Sequence, residues 1–226
     1  MIRTNGLSKV YQMGGAKVFA LRSADIYVPE GSFAAIVGSS GSGKSTLLNI
    51  LGLLDKADSG EYFLCGKEVS KLSSRELSRL RSELIGFVFQ SFNLLPGFTA
   101  LENVELGLTV KNIPPRLRRE LSEYALESVG LKDRIDHLPS EMSGGQQQRT
   151  AIARAIAGGP KLILADEPTG NLDEASSEAV MELLTDQHKK GVTMIVITHS
   201  SQVAAMAQNI YPMKNGILES PQYDMN

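Results

Sequence analysis

Phe33-Ala34-Ala35-Ile36-Val37 runs directly into Gly38-Ser39-Ser40-Gly41-Ser42-Gly43-Lys44-Ser45. The first five residues are all apolar and of strand length. A strand buried on both faces of a parallel sheet reads this way, without polar alternation. Gly38 ends the run. From Lys44 the period changes, and Leu47, Leu48, Leu51 and Leu54 fall on one helical face. A buried strand, a turn of the form G-x-x-x-x-G-K-[ST] and an amphipathic helix, in that order, predict a phosphate-binding loop. Glycine lets the backbone curl until several N–H groups converge on one anion, and the helix start adds the positive end of its dipole. Lys44 is placed to reach the β- and γ-phosphates, and Ser45 to bring a hydroxyl to Mg²⁺. Gly38, Ser39, Ser40, Gly41, Ser42, Gly43, Lys44, Ser45 and Thr46 are the candidate nucleotide contacts. Kinases, GTPases and helicase-type motors share such a loop, so alone it identifies only a P-loop nucleotide binder.

Further apolar runs follow downstream. Leu162-Ile163-Leu164-Ala165 ends in Asp166-Glu167. Ligands of open parallel sheets sit at the carboxyl ends of the strands. Asp166 is therefore expected to face the ion held by Ser45, and Glu167 to polarise a water for attack on the γ-phosphate. Val192-Thr193-Met194-Ile195-Val196-Ile197 is another buried strand, rich in β-branched residues, and residues 175–189 between the two runs read as helix. Before Phe33, short extended segments are broken at Met13-Gly14-Gly15 and Pro29-Glu30-Gly31. Near the other end Lys214-Asn215-Gly216 marks a type I′ hairpin. Tyr62-Phe63-Leu64-Cys65 is strand-like, and Cys65 within it reads as a small core residue.

The middle differs. Ser73-Ser74-Arg75-Glu76 and Thr99-Ala100-Leu101-Glu102 are capping boxes that open helices. Pro114-Pro115 starts another, with Leu117, Leu121, Tyr124 and Leu126 assigned to one face and Gly130 as its stop. Helices without intervening apolar strands predict a helical insertion, roughly Gln90 to Pro139.

Composition narrows the class from outside. Charged groups nearly balance, 23 Lys and Arg against 25 Asp and Glu, so there is no basic excess for a phosphate backbone or a polybasic membrane anchor. A single cysteine excludes an intrachain disulfide framework and suits a reducing cytosol. No apolar run reaches the ~18–20 residues of a membrane span, and Met1-Ile2-Arg3-Thr4-Asn5 opens no signal-peptide stretch. A cytosolic chain held at any membrane by another protein is the expectation.

Met142-Ser143-Gly144-Gly145-Gln146 decides the class. Ser143 can cap a helix running to about Ala157, and two glycines expose N–H groups at its positive end, which makes a second anion site far in sequence from the first. The pentapeptide resembles the LSGGQ signature of the ABC ATPases, with Met142 for the usual Leu, an apolar replacement of similar volume. Other parts of the family pattern fall in order over essentially the whole chain. The resemblance implies that Tyr11 stacks on adenine, and that Gln90 touches Mg²⁺ and signals to a membrane partner. It further implies that Asn171-Leu172-Asp173 forms the D-loop and that His199 contacts the γ-phosphate. Ser200-Ser201 follow where many relatives carry Asp. Asn93-Leu94-Leu95-Pro96, Phe98-Thr99-Ala100-Leu101-Glu102-Asn103-Val104 and Asp166-Glu167-Pro168-Thr169-Gly170-Asn171-Leu172-Asp173 are similar to the lipoprotein-release and macrolide-export branch. That branch implies a permease of few spans with a large extracytoplasmic domain.

The resulting expectation is a single α/β ABC ATPase domain: a P-loop core with a mostly parallel sheet and an N-terminal antiparallel β subdomain at 1–89 and 160–226, and a signature-bearing helical subdomain at 90–159. ATP and Mg²⁺ are its cofactors, with Ser45, Gln90 and Asp166 toward the metal. Glu167 and His199 are the catalytic candidates. Ser143, Gly144, Gly145, Gln146 and Asp173 join the nucleotide site across an ATP-dependent homodimer. The permease partner would hold the chain on the inner face of the cell membrane, with Leu94, Leu95 and Phe98 as contacts and a permease helix in the groove near Gln90 to Gly97. No nucleic-acid partner is expected. The competing class, a soluble ABC ATPase acting on nucleic acid or the ribosome, usually adds long coiled coils, zinc-binding cysteines or a second cassette. This chain has one cysteine, no sustained heptads and one cassette.

Overall fold

The computed structural model describes residues 1–223. In chain order its elements are β1 (Ile2–Met13), β2 (Ala16–Ala24), β3 (Tyr27–Val28), β4 (Phe33–Val37), α1 (Lys44–Leu51), β5 (Ser59–Leu64), β6 (Lys67–Glu68), α2 (Ser74–Leu84) and β7 (Ile85–Phe89). They continue with α3 (Ala100–Thr109), α4 (Pro115–Ser128), α5 (Gly144–Ile156), β8 (Leu162–Asp166), α6 (Glu174–Lys189), β9 (Thr193–Thr198), α7 (Ser201–Ala204), β10 (Asn209–Lys214), β11 (Ile217–Leu218) and β12 (Gln222–Tyr223). The chain divides into two compact units, one of Met1–Arg81 with Thr193–Asn226 and one of Ser82–Val192.

The first unit carries an antiparallel sheet in the order β2-β1-β5-β6, with β3 also on β1, and the parallel neighbours β10-β4-β9. Phe33 pairs with Met194 and Val37 with Thr198 along β4 and β9. Both strands are apolar and almost wholly buried, which explains their uninterrupted sequence. Tight turns stand where Asn-Gly and Gly-Gly predicted them. Asn215 and Gly216 have φ of 50° and 79° between β10 and β11, and Gly14 and Gly15 have 56° and 85° between β1 and β2. The same chemistry corrects the reading of Cys65. β5 ends at Leu64, and Cys65 with Gly66 forms the turn to β6, at φ 50° and 77° and exposed, not in the core. Leu54 is likewise 47% exposed, because α1 ends at Leu51 and Gly52 caps it before the apolar face is complete.

In the second unit β7 and β8 pair in parallel, Ile85 with Leu162 through Phe89 with Asp166, and α3, α4, α5 and α6 belong to the same unit. The Thr99 box is formed at α3: Thr99 Oγ1 accepts the Glu102 N–H at 3.2 Å and a Glu102 carboxylate oxygen accepts the Thr99 N–H at 2.8 Å. Gly130 follows α4 in the left-handed region, at φ 72°. The predicted apolar face of α4 is not a single face. Leu126 is buried with Ser122 and Ala125, whereas Leu117 is 45% and Tyr124 72% exposed. At about 100° per residue the nine positions from Leu117 to Leu126 turn the helix to its opposite side, so those side chains cannot share a surface.

Candidate functional site

In the first unit the loop 38–43 is gripped by its surroundings. The Gly216 N–H donates to the Ser42 carbonyl at 2.8 Å, and Lys44 Nζ donates to the carbonyls of Gly38 at 2.7 Å and Ser39 at 2.9 Å. A Cβ on Gly38 would stand 2.2 Å from the Met213 carbonyl oxygen, and one on Gly43 would stand 2.3 Å from that of Ala20. Those neighbours are backbone and cannot yield, so both positions require glycine. Gly43 caps α1 at φ 105° with no side-chain cap, unlike α3, α5 and α6, which Thr99, Ser143 and Asp173 cap. Ser42 Oγ is buried without a hydrogen-bond partner. Uncapped helix N–H groups, an orphaned hydroxyl and a lysine at the loop fit a phosphate group. Ser39, Ser40, Gly41 and Ser45 remain exposed, and Thr46 is half-buried.

Tyr11 lies on β1, half-buried, with its hydroxyl on Asp55 Oδ2 at 2.7 Å and a further side-chain bond from Thr46. Lys9 completes the group, donating to Asp55 Oδ1 at 2.9 Å and to the Lys56 carbonyl at 2.6 Å, with its ammonium 5.2 Å from the centre of the Tyr11 ring. Burial pushes the Asp55 carboxyl up, but the bonds from Lys9, Tyr11 and the Lys56 N–H outweigh it and hold the pKa below its ordinary value. For Lys9, burial works downward and is outweighed by the bond to Asp55 and the Asp55 and Asp58 charges, so its pKa is raised. Lys9 and Asp55 belong to no motif, and nothing in their sequence neighbourhood distinguishes them. His199 follows β9 and is exposed. Ser200 takes over the capping of α7: its hydroxyl accepts the Val203 N–H at 3.4 Å, and its own N–H donates to Thr198 Oγ1 at 3.0 Å.

The second unit brings four motif segments together. Asp166 ends β8, and Glu167 follows at φ 45°, a conformation rare for an L side chain and characteristic of constrained functional turns. The Gly170 N–H closes that turn on the Glu167 carbonyl at 3.0 Å. Gln90, just past β7, donates through Nε2 to Asn171 Oδ1 at 3.2 Å, and Asn171 Nδ2 donates back to the Gln90 carbonyl at 3.1 Å. At the signature, Ser143 Oγ accepts the Gln146 N–H at 3.3 Å and Gln146 Oε1 accepts the Ser143 N–H at 2.9 Å, a full capping box on α5. Gly144 lies near Leu172, Phe92 and Asn171. Asp173 caps α6, accepting the Ser176 N–H at 2.9 Å and its hydroxyl at 2.8 Å, and these bonds hold its carboxyl below the usual range.

Several residues that the motifs did not mark shape this region. Arg154, on α5, donates to the carbonyls of Phe92 and Asn93, which sit in the left-handed region at φ 60° and 50°. Burial pulls the Arg154 pKa down. Asn103, fully buried, accepts the Leu95 N–H at 2.8 Å and donates to the carbonyls of Phe98 at 2.9 Å and Thr99 at 3.0 Å. So held, the loop leaves Leu95 41% and Phe98 40% exposed. Arg154 reaches carbonyls 61 and 62 positions away in sequence, which no local pattern marks. Among the described residues no helix is long and apolar enough to cross a membrane, and no group of three or more His, Cys, Asp or Glu is placed to hold a metal ion.

Comparison with known proteins agrees with this arrangement. Residues 21–170 match the ABC transporter family. An uncharacterized ABC transporter ATP-binding protein of Thermotoga maritima is 48% identical over 93% of this chain and 90% of its own. The macrolide export ATP-binding/permease protein MacB of Chlorobaculum tepidum is 46% identical over 96% of this chain, which spans 33% of that protein. Among solved structures, the dimeric ATP-binding cassette MJ0796, in a post-hydrolysis state with ADP and Pi, is 42% identical, superposes with a TM-score of 0.92, and is matched over 99% of this chain and 98% of its own. The chain belongs to the ABC transporter family and is one of its ATP-hydrolysing, ATP-binding cassettes.

Proposed function

We propose that this cassette drives a separate transmembrane permease of the macrolide-export and lipoprotein-release kind, by closing and opening an ATP sandwich between two copies of itself. The observation that carries the reading is that Ser143, Gly144 and Gly145 form the start of the signature helix α5, in a unit that does not contain the phosphate loop. Such a helix start is suited to nucleotide held by a second copy, and the similar cassette MJ0796 is dimeric and bound to ADP and Pi.

In this reading residues 38–46 hold the phosphates, Lys44 and the uncapped start of α1 carry most of the charge compensation, and the Tyr11 ring stacks on the base. Ser45, Asp166 and Gln90 would hold Mg²⁺, which would supply positive charge to stabilise the phosphate groups. Glu167 accepts a proton from the attacking water, His199 holds the γ-phosphate, and Asp173 closes the site from the facing protomer. The segment 90–159 is the proposed moving subdomain, and 1–89 with 160–226 the core it moves against. The permease takes Leu95 and Phe98, which two side-chain clamps keep at the surface. The cassette then works at the inner face of the membrane that holds its permease, by mechanotransmission or efflux.

A photo-crosslinking side chain at Phe98, introduced into the full chain and irradiated in cells of its source, tests the proposal. An adduct with an integral membrane protein bearing a large extracytoplasmic domain is the expected result. Adducts with ribosomal or nucleic-acid-bound proteins instead would overturn it.

A further inference from the structure

One buried side chain joins the signature helix to the hydrolytic turn. Gln148 lies in the second turn of α5 and is fully buried. Its Nε2 donates to the Pro168 carbonyl at 2.5 Å, while its Oε1, equally buried, has no hydrogen-bond partner. Pro168 follows Glu167, the residue held at φ 45°. Such a backbone conformation persists where its surroundings fix it. The carbonyl that Gln148 holds is therefore on the residue next to the hydrolytic carboxylate, inside the turn that the Gly170 N–H closes at 3.0 Å. As packing alone, Gln148 is a poor choice. A methionine of similar length would fill the space without burying an unsatisfied acceptor. What it supplies beyond packing is the one bond from its amide to the turn.

We propose that Gln148 is a positioning residue for Glu167, and that through it each protomer's signature reports to that protomer's own hydrolytic carboxylate. The inference rests on the reading that Ser143 and Gly145 close on nucleotide held by the second copy. Closure moves the start of α5, and a hydrogen-bonded helix carries that displacement along its axis to Gln148, hence to Pro168 and Glu167. ATP on one protomer's phosphate loop is then hydrolysed efficiently only while the other protomer's ATP occupies the first one's signature. The two sites of the dimer fire together, and the rate depends on ATP with a Hill coefficient above one.

Steady-state hydrolysis of ATP with Mg²⁺ by the full chain provides the test. Gln148→Met removes the amide bond together with the orphaned acceptor, so its melting temperature stays near that of the parent. Its kcat should fall roughly tenfold, the size of effect typical for supporting contacts to a reactive group, with KM for ATP unchanged and the Hill coefficient moved toward one. Gln148→Glu can donate to the Pro168 carbonyl only when its carboxyl is protonated, which burial favours. Its activity relative to the parent at the same pH should therefore rise as pH is lowered toward about 6. Parent-like kcat and Hill coefficient in Gln148→Met overturn the proposal. If Gln148→Met melts far below the parent, the Gln148→Glu ratio decides alone: a rise at low pH supports positioning, and a flat ratio overturns it. Gln148→Met combined with Glu167→Gln should still dimerise with ATP. Failure of Glu167→Gln alone to do so would count against the sandwich reading, not against Gln148.

Discussion

Ser176 fills the space in front of Gly145: a Cβ built on the glycine would lie 2.6 Å from Ser176 Oγ and 3.0 Å from its Cβ. Ser176 cannot swing aside cheaply, because its N–H and hydroxyl both cap α6 through Asp173. The second signature glycine thus serves helix packing, beside the anion binding proposed for it. Gly145→Ala should destabilise the chain by about 1–3 kcal/mol through overpacking and remove ATP-dependent dimerisation. Denaturant unfolding and sedimentation read the two effects. Ser176→Gly in the same chain should recover part of the stability, since it removes both clashing atoms at a cost of about 0.5–1 kcal/mol for glycine in a helix. No recovery would mean that the glycine is needed for another contact.

Leu95 and Phe98 are 41% and 40% exposed on a loop whose backbone, not whose side chains, is anchored by Asn103. A charge placed there meets water. Leu95→Glu and Phe98→Glu should leave unfolding within about 0.5 kcal/mol of the parent and keep basal ATPase, while association with the permease is lost. Thermal melting of the free chain beside pull-down by the permease checks this. A collapsed melt would return these side chains to the core.

Asp55 links acid stability to the region around Tyr11. Its folded pKa is depressed, so its contribution is present above the unfolded carboxylate range and is lost as pH falls through the folded value, below about pH 4. Asp55→Asn should therefore melt below the parent near neutral pH, with the gap closing as acid protonates Asp55 in the parent. Melting curves from neutral to strongly acidic pH measure the gap. A gap that stayed constant would mean that the bonds from Lys9 and Tyr11 do not depend on the charge.

The α/β architecture was legible because its signals are local. Phe33–Val37 and the glycines after it announce a buried strand and a tight loop within a dozen positions, and Asn215-Gly216 makes its turn from its own φ preferences. The misread residues show where local reasoning stops. Cys65 looks like the last residue of an apolar strand, but the partner strand β6 begins two positions later, and the turn claims it. The spacing read from sequence puts Leu126 on one face with Leu117, although helical geometry places them on opposite sides. Within the candidate site, the motif residues follow from spacing and chemistry. Gln148, Arg154 and Ser176 do not, because each is defined by a carbonyl or a glycine many positions away, such as Pro168 for Gln148 or Phe92 for Arg154. Such contacts exist only once the helices have packed.

Glu167 is the proposed acceptor of the water proton, and the signature the proposed second half of a site completed between copies. Sedimentation of Glu167→Gln tests both at once, since the amide keeps the shape of the side chain and removes its basicity. With ATP and Mg²⁺ this chain should bind nucleotide, fail to turn it over and sediment as a dimer; without nucleotide it should sediment as a monomer. Adding Lys44→Ala should abolish the dimer by removing nucleotide binding. Hydrolysis at the parent rate would contradict the role of Glu167, and a dimer of equal strength with and without ATP would contradict the role of the signature.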